Sequence, residues 1–237
     1  MKLFLNFKSK FIQVFGEFLI VVVGVVVALS ADTWWNDQKQ LSQELAYIEQ
    51  LLKDSIENRS QIRTAISQEE MQLKAKTNIL NHLIAKQELS FDRAQELLLS
   101  RRGAFYYSDP RLIDGTLSSL IQSGDIAIIN DISLRTNLMS YLNKLVKNYS
   151  EFDRWISYEL KYISVFDDQT SLIKHTTKQN NIVDLFLLVQ KNPKVISAFR
   201  GAVRSSIVRL TYLRRMLKDT QQIEKALSST LENLNAT

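Results

Sequence analysis

The most one-sided stretch of the chain is its start. Residues 11–31 read FIQVFGEFLIVVVGVVVALSA, and the run from 18 to 29 has no polar face to turn toward water. At 1.5 Å per residue such a helix covers about 31 Å, the thickness of a bilayer's hydrocarbon core, which predicts one transmembrane helix over 11–31. Lys2, Lys8 and Lys10 precede it and Asp32 and Asp37 follow it, so residues 1–10 are expected to be cytoplasmic and 32–237 extracytoplasmic. Trp34 and Trp35 then serve as anchors at the outer interface, with the indole ring and its N–H in different environments. A cleavable signal peptide is the competing reading, since Ala28 and Ser30 resemble a cleavage site. Glu17 inside the apolar region and the full membrane length of the segment argue for a retained anchor.

Beyond the interface the pattern changes period. Leu41, Leu45, Ile48 and Leu52 recur at steps of four and three, and Ile62, Ile66, Leu73, Leu80 and Leu83 follow at less regular helical intervals. Neither Gly nor Pro occurs between Gly24 and Gly103, so one helix is expected to run from the membrane to about Lys86. Ser90 predicts the cap of a short helix through about Arg102. Gly103, the Phe-Tyr-Tyr run and Asp109-Pro110 predict a loop and a new helix that stops at Ser123-Gly124. Asp131 predicts the cap of a second long helix to about Phe166, lined by Leu134, Leu138, Tyr141, Leu142, Leu145, Tyr149, Phe152 and Ile156. Residues 167–181 are polar and aperiodic and read as a loop, and the apolar stretch 182–189 is too brief to be a second span. Pro193, after Asn192, opens a last long helix with Phe199, Val203, Leu210, Leu213, Leu217, Leu227 and Leu231 on one face. The fold class expected is all-α: an N-terminal transmembrane helix followed by an elongated extracytoplasmic helical bundle, without strands beyond a short strand-like segment at 126–129.

Within the span, Glu17, Val21, Gly24, Ala28, Ala31 and Trp35 share one stripe, and Gly24 with Ala28 forms a small-xxx-small pair that lets two backbones approach. Transmembrane packing through Glu17, Gly24 and Ala28 is the reading this favours. Glu17 itself has three explanations: snorkelling to the headgroups, burial against a partner helix, or a proton or ion path.

Composition narrows the chemistry. The 30 basic residues are matched by 25 acidic ones, and no basic cluster is interleaved with stacking aromatics, which disfavours nucleic acid as a partner. Without cysteine there are no disulfides, thiol chemistry or Cys-based zinc sites, and His82 and His175 are isolated and read as ordinary helix residues. The carboxylate pairs Glu69-Glu70 and Asp167-Asp168 read as solvated. With no phosphate loop, nucleophile elbow or metal spacing, the expectation is no catalytic residue, no cofactor, no metal and no enzyme activity. Arg200, Arg204, Arg214, Arg215 and Lys218 fall within about 100° on the last helix, a positive strip that is either a solvated face or a contact for an acidic partner or anionic lipid headgroups.

Two motifs carry a resemblance. Gly16-Glu17, Gly24, Ala28-Leu29, Trp34 and Asn36 in the anchor, and SLIQSGDIAIINDISLRTNLMSYL at 119–142, resemble a family of bacterial single-pass inner-membrane proteins known as a domain of unknown function; this chain departs from it in the additional Trp35. The resemblance implies an anchor plus an extracytoplasmic helical domain in the inner membrane, and no activity or catalytic residues. The function expected is a membrane-anchored scaffold or accessory subunit, partnered by the lipid bilayer and by a second copy or another membrane protein. The alternatives are a ligand-binding sensor that signals through a separate effector, disfavoured by the short cytoplasmic segment, and an oligomeric pore with Glu17 facing its lumen.

Overall fold

The structure, a computed structural model, describes residues 2–85, 90, 92–93, 96–97, 104, 109–177, 189–190 and 192–236. Four helices and one short 3-10 turn have defined bounds among these: α1 Lys2–Ile84, α2 Gly115–Ser123, the turn Asp125–Ile128, α3 Ile132–Thr177 and α4 Pro193–Asn235; residues 92–93, 96–97, 104 and 189–190 are helical as well. No strand occurs among the described residues.

The length of α1 follows from what its sequence lacks. With no Gly or Pro between Gly24 and Ile84, nothing interrupts the ladder, and the helix passes without a break from the apolar stretch into the bundle. Its buried line is Glu44, Ile48, Leu51, Ser55, Asn58, Ile62, Ala65, Glu69, Gln72, Lys76, Ile79 and Leu83, at alternating steps of four and three throughout. The regularity is complete, although half of the positions are polar. On α4 the matching line is Val195, Phe199, Ala202, Ser206, Arg209, Leu213, Met216, Thr220, Ile223 and Leu227.

Helix α4 packs against both α1 and α3, while α1 and α3 meet through their side chains. The start of α3 lies beside the near part of the covered stretch of α1, because Asn130 donates its backbone and side-chain N–H to Glu44 at 2.7 Å each. Helix α3 therefore rises alongside α1, and α4 descends, as the pairs Lys76–Ser206, Glu69–Arg209 and Arg59–Glu224 record in order. Two apolar cores result. The one nearer the apolar end of α1 holds Ile48, Leu51, Ile62, Leu117, Leu120, Leu134, Leu138, Phe152, Leu213 and Leu227, and the far one holds Ile79, Leu83, Leu97, Ala104, Val189, Val195 and Phe199. Full burial of each Leu, Ile or Phe is worth roughly 1.5–3 kcal/mol over exposure.

Several boundaries stand where the sequence puts them. Asp131 Oδ1 accepts from the N–H groups of Ser133 and Leu134 at 2.8 and 3.1 Å, and Asn192 Oδ1 accepts from Lys194 at 3.0 Å with Pro193 in the first turn. Gly124 closes α2 at φ 84°, a left-handed conformation natural to glycine. Arg93 N–H donates to Ser90 Oγ at 3.4 Å, as a cap there requires. Most of the expected helix to Arg102, the Gly103 and Phe-Tyr-Tyr loop and the stretch 182–188 lie outside the described residues.

Three expectations are corrected. The helix expected at Pro110 begins instead at Gly115, because Asp109 accepts the Tyr149 hydroxyl at 2.6 Å and Asn58 takes both backbone groups of Ile113, at 2.7 and 2.6 Å. Tertiary partners thus claim the cap and the backbone that a helix would need. The loop expected over 167–181 is helical through Thr177, since polarity alone does not end a helix and no Gly or Pro lies there; residues 178–181 lie outside the described set. The strand-like segment at 126–129 is the 3-10 turn and the residue after it.

Candidate functional site

Three features stand out from the frame: a bare apolar rod, a basic strip and a buried layer of charge. In the rod, nine aliphatic residues from Leu19 to Leu29 are 42 to 73% exposed, and none of the most apolar window of α1 is buried within the molecule. A soluble core helix would be covered; this is one helix long and apolar enough to cross a membrane. Its polar residues near the end are satisfied internally, Ser30 Oγ donating to the Val26 carbonyl at 2.8 Å and Thr33 Oγ1 to Leu29 at 2.9 Å. Trp34 and Trp35 are both exposed just beyond. Gly24 and Ala28 are exposed, and a Cβ placed on Gly24 would meet nothing within 4 Å. The side chain of Glu17 lies outside the described residues.

The five cations of the strip, Arg200, Arg204, Arg214, Arg215 and Lys218, are all exposed on α4, as their spacing requires. Arg214 reaches Glu70 of α1 at 2.8 Å, and Arg215 lies over the Tyr212 ring at 5.5 Å. His82, partly buried, is satisfied on its own helix: Nδ1 lies 2.8 Å from the Asn78 carbonyl.

The buried layer was not legible as a site. Arg209 grips Glu69 with two hydrogen bonds, Nη2 to Oε1 at 2.7 Å and Nε to Oε2 at 3.1 Å, and its Nη1 pairs with Glu159 of α3. Lys76 pairs with Glu159 Oε1 at 2.5 Å and donates to Ser206 Oγ at 2.8 Å. All four charged side chains are at most 1% exposed, so two cations and two carboxylates from three helices neutralise one another between the two apolar cores. Burial lowers the Lys76 pKa from its ordinary value against the pull of Glu159. For Arg209 burial also opposes the charge, but the hydrogen bonds and charges of Glu69 and Glu159 outweigh it and hold the guanidinium above its ordinary value. Gln72 Oε1 and Ser205 Oγ, buried on the same stretches of α1 and α4, have no hydrogen-bond partner among the described residues.

The solvated reading of Glu69-Glu70 is therefore half wrong. Successive residues stand 100° apart on a helix, so the seam takes Glu69 in and leaves Glu70 out with Arg214. The available signal was register: Glu69, Gln72 and Lys76 continue the spacing of Ile62 and Ala65 and lead into that of Ile79 and Leu83. With its four charged side chains at most 1% exposed and opposed in sign, this layer suits alignment of the helices, because any slip of register leaves a buried charge alone.

Comparison with known proteins finds no counterpart: no family model matches the chain, and neither a curated protein nor a solved structure matches it.

Proposed function

We propose that the chain is a single-pass protein of the bacterial inner membrane, with residues 11–31 in the bilayer, 1–10 in the cytoplasm and 32–237 in the periplasm. In this reading it acts as an anchored helical scaffold or accessory subunit, with no catalytic role, by holding a second copy or another membrane protein through the stripe of Glu17, Gly24 and Ala28. The observation that carries it is the apolar stretch 19–29, bare among the described residues and in unbroken continuity with a well-packed bundle. The space open around Gly24 supports a close helix contact there, and Lys2, Lys8 and Lys10 before the stretch with Asp32 and Asp37 after it support the placement.

The test is native mass measurement of the detergent-extracted protein. Because no described residue comes within 4 Å of a Cβ at Gly24, Gly24→Leu should leave the bundle untouched and reduce the assembly to smaller species. Glu17→Gln should preserve the assembly and Glu17→Leu should weaken it, since the amide keeps a hydrogen bond that leucine cannot make. An unchanged mass for Gly24→Leu would sink the packing role. Protease added to intact spheroplasts should remove the bundle, and full protection would refute the orientation.

A further inference from the structure

On the side of the α1–α4 pair away from the ion layer's third helix, an open groove of about 940 Å³ runs between residues 70–81 of α1 and 207–214 of α4. Eleven steps along α1 make it about 16 Å long, three helical turns. Its lining is apolar in part, with Met71 62% and Ile207 52% exposed and Leu210 buried beneath, and polar at Thr77, Asn78 and Asn81. Met71 and Ile207 thus present apolar surface from the two walls of one groove.

The charge around the groove is one-sided. From Pro193 to Leu217 the sequence of α4 contains no carboxylate, and neither does α1 from Met71 to Leu83. By helical angle Ile207 and Thr211 lie inside the strip formed by Arg200, Arg204, Arg214 and Lys218, and Lys74 stands on the opposite wall. Among the described residues the one acid of the lining is Glu70, paired with Arg214. A partly apolar trough three turns long with a cationic rim is complementary to a helix that is apolar on one face and acidic on the other.

We propose that this groove docks an acidic amphipathic helix of a partner protein, adding a fourth long helix to the bundle at the level of the ion layer. Lipid headgroups are the weaker reading for the same cations. Arg59–Glu224 and Glu69–Arg209 bracket Lys218 between the levels of residues 59 and 69, which for a chain anchored through 11–31 lies about 40–55 Å along α1 from the end of the span. That is several times the roughly 8 Å screening length of physiological salt. The inference does not rest on contact between transmembrane helices.

The experiment measures fluorescence anisotropy of a labelled synthetic 14-residue amphipathic helix, leucines on one face and glutamates on the other, titrated with the full chain in zwitterionic-lipid nanodiscs, with empty discs subtracted. Saturable binding is expected, at least tenfold weaker for the same peptide with lysines in place of glutamates. Ile207→Glu and Met71→Glu, both at exposed positions, should each weaken it at least tenfold without lowering the melting temperature. No saturable binding, equal binding of the two peptides, or binding undiminished in both variants would overturn the proposal. So would a smaller native assembly for Ile207→Glu, because the groove would then belong to a second copy.

Discussion

Helix α1 is apolar where it is bare and half polar where it is covered. From residues 19 to 29 its aliphatic side chains stand open, whereas from Glu44 to Leu83 its seam is closed and holds Glu44, Ser55, Asn58, Glu69, Gln72 and Lys76. One unbroken helix thus reverses the ordinary rule twice. In the bare half no described element supplies a cover, so those side chains face whatever surrounds the chain. In the covered half other segments bring a partner to four of the six polar groups: Asn130 to Glu44, Ile113 to Asn58, and Arg209 and Glu159 to Glu69 and Lys76.

The sharpest way to break this comparison is to remove one charge from the layer. Arg209→Met leaves two buried carboxylates facing only Lys76 and should cost about 3–5 kcal/mol in denaturant unfolding of the bundle. Replacing Glu69, Lys76, Glu159 and Arg209 together by Leu or Met should instead be close to neutral or stabilising. If the single change costs under about 1 kcal/mol, the layer is not dry and the comparison fails.

Next in size is truncation on either side of the divide. Ile48→Ala, at a position with no exposure, should cost about 2–5 kcal/mol by loss of burial and creation of a cavity. Val22→Ala, in the bare half, should change bundle unfolding by less than about 0.5 kcal/mol. Comparable losses from both would mean that the rod packs on the bundle.

A smaller effect is expected at Gly201, where a Cβ would sit 2.5 Å from the ring of Tyr162 and so wedge α3 from α4. Gly201→Ala should cost about 1–3 kcal/mol through overpacking, and Tyr162→Leu in the same chain should recover part of it. No loss in the single variant would show that the ring moves aside freely.

The smallest effect is one of pH. Partial burial, and then the hydrogen bond to Asp109 and the charges of Asp109 and Asp153, push the Tyr149 hydroxyl up to about 12. A raised pKa favours the neutral form in the folded chain, so its contribution is complete below about pH 10 and lost as the pH climbs toward 12. Tyr149→Phe should flatten the decline of stability between pH 10 and 12. Lys76, with its lowered pKa, acts in the opposite direction but equally in both proteins. Parallel declines would remove Tyr149 from the account.

How much of this was legible depends on where the partner of each residue lies. The long apolar stretch of α1, the caps at Asp131 and Asn192, the stop at Gly124 and the three long helices are written in neighbouring residues. They rest on local terms: apolar length, side-chain oxygens within reach of the next turn, and the left-handed freedom of glycine. The strip of Arg200, Arg204, Arg214, Arg215 and Lys218 was equally readable, since helical angle alone places it. What only the tertiary structure decided is the seam. Leu45 and Leu52, the sequence's choice, flank it, while Glu44 and Leu51 lie in it, because the heptad register passes through polar residues that no hydrophobic pattern selects. A buried charge is stable only with its counter-charge, and the counter-charges of Glu69 and Lys76 stand 140 and 83 residues further along the chain at Arg209 and Glu159. For the same reason Asp109 looked like a helix cap until Tyr149 took it. Local chemistry made the helices; long-range pairing chose which of their faces turned inward.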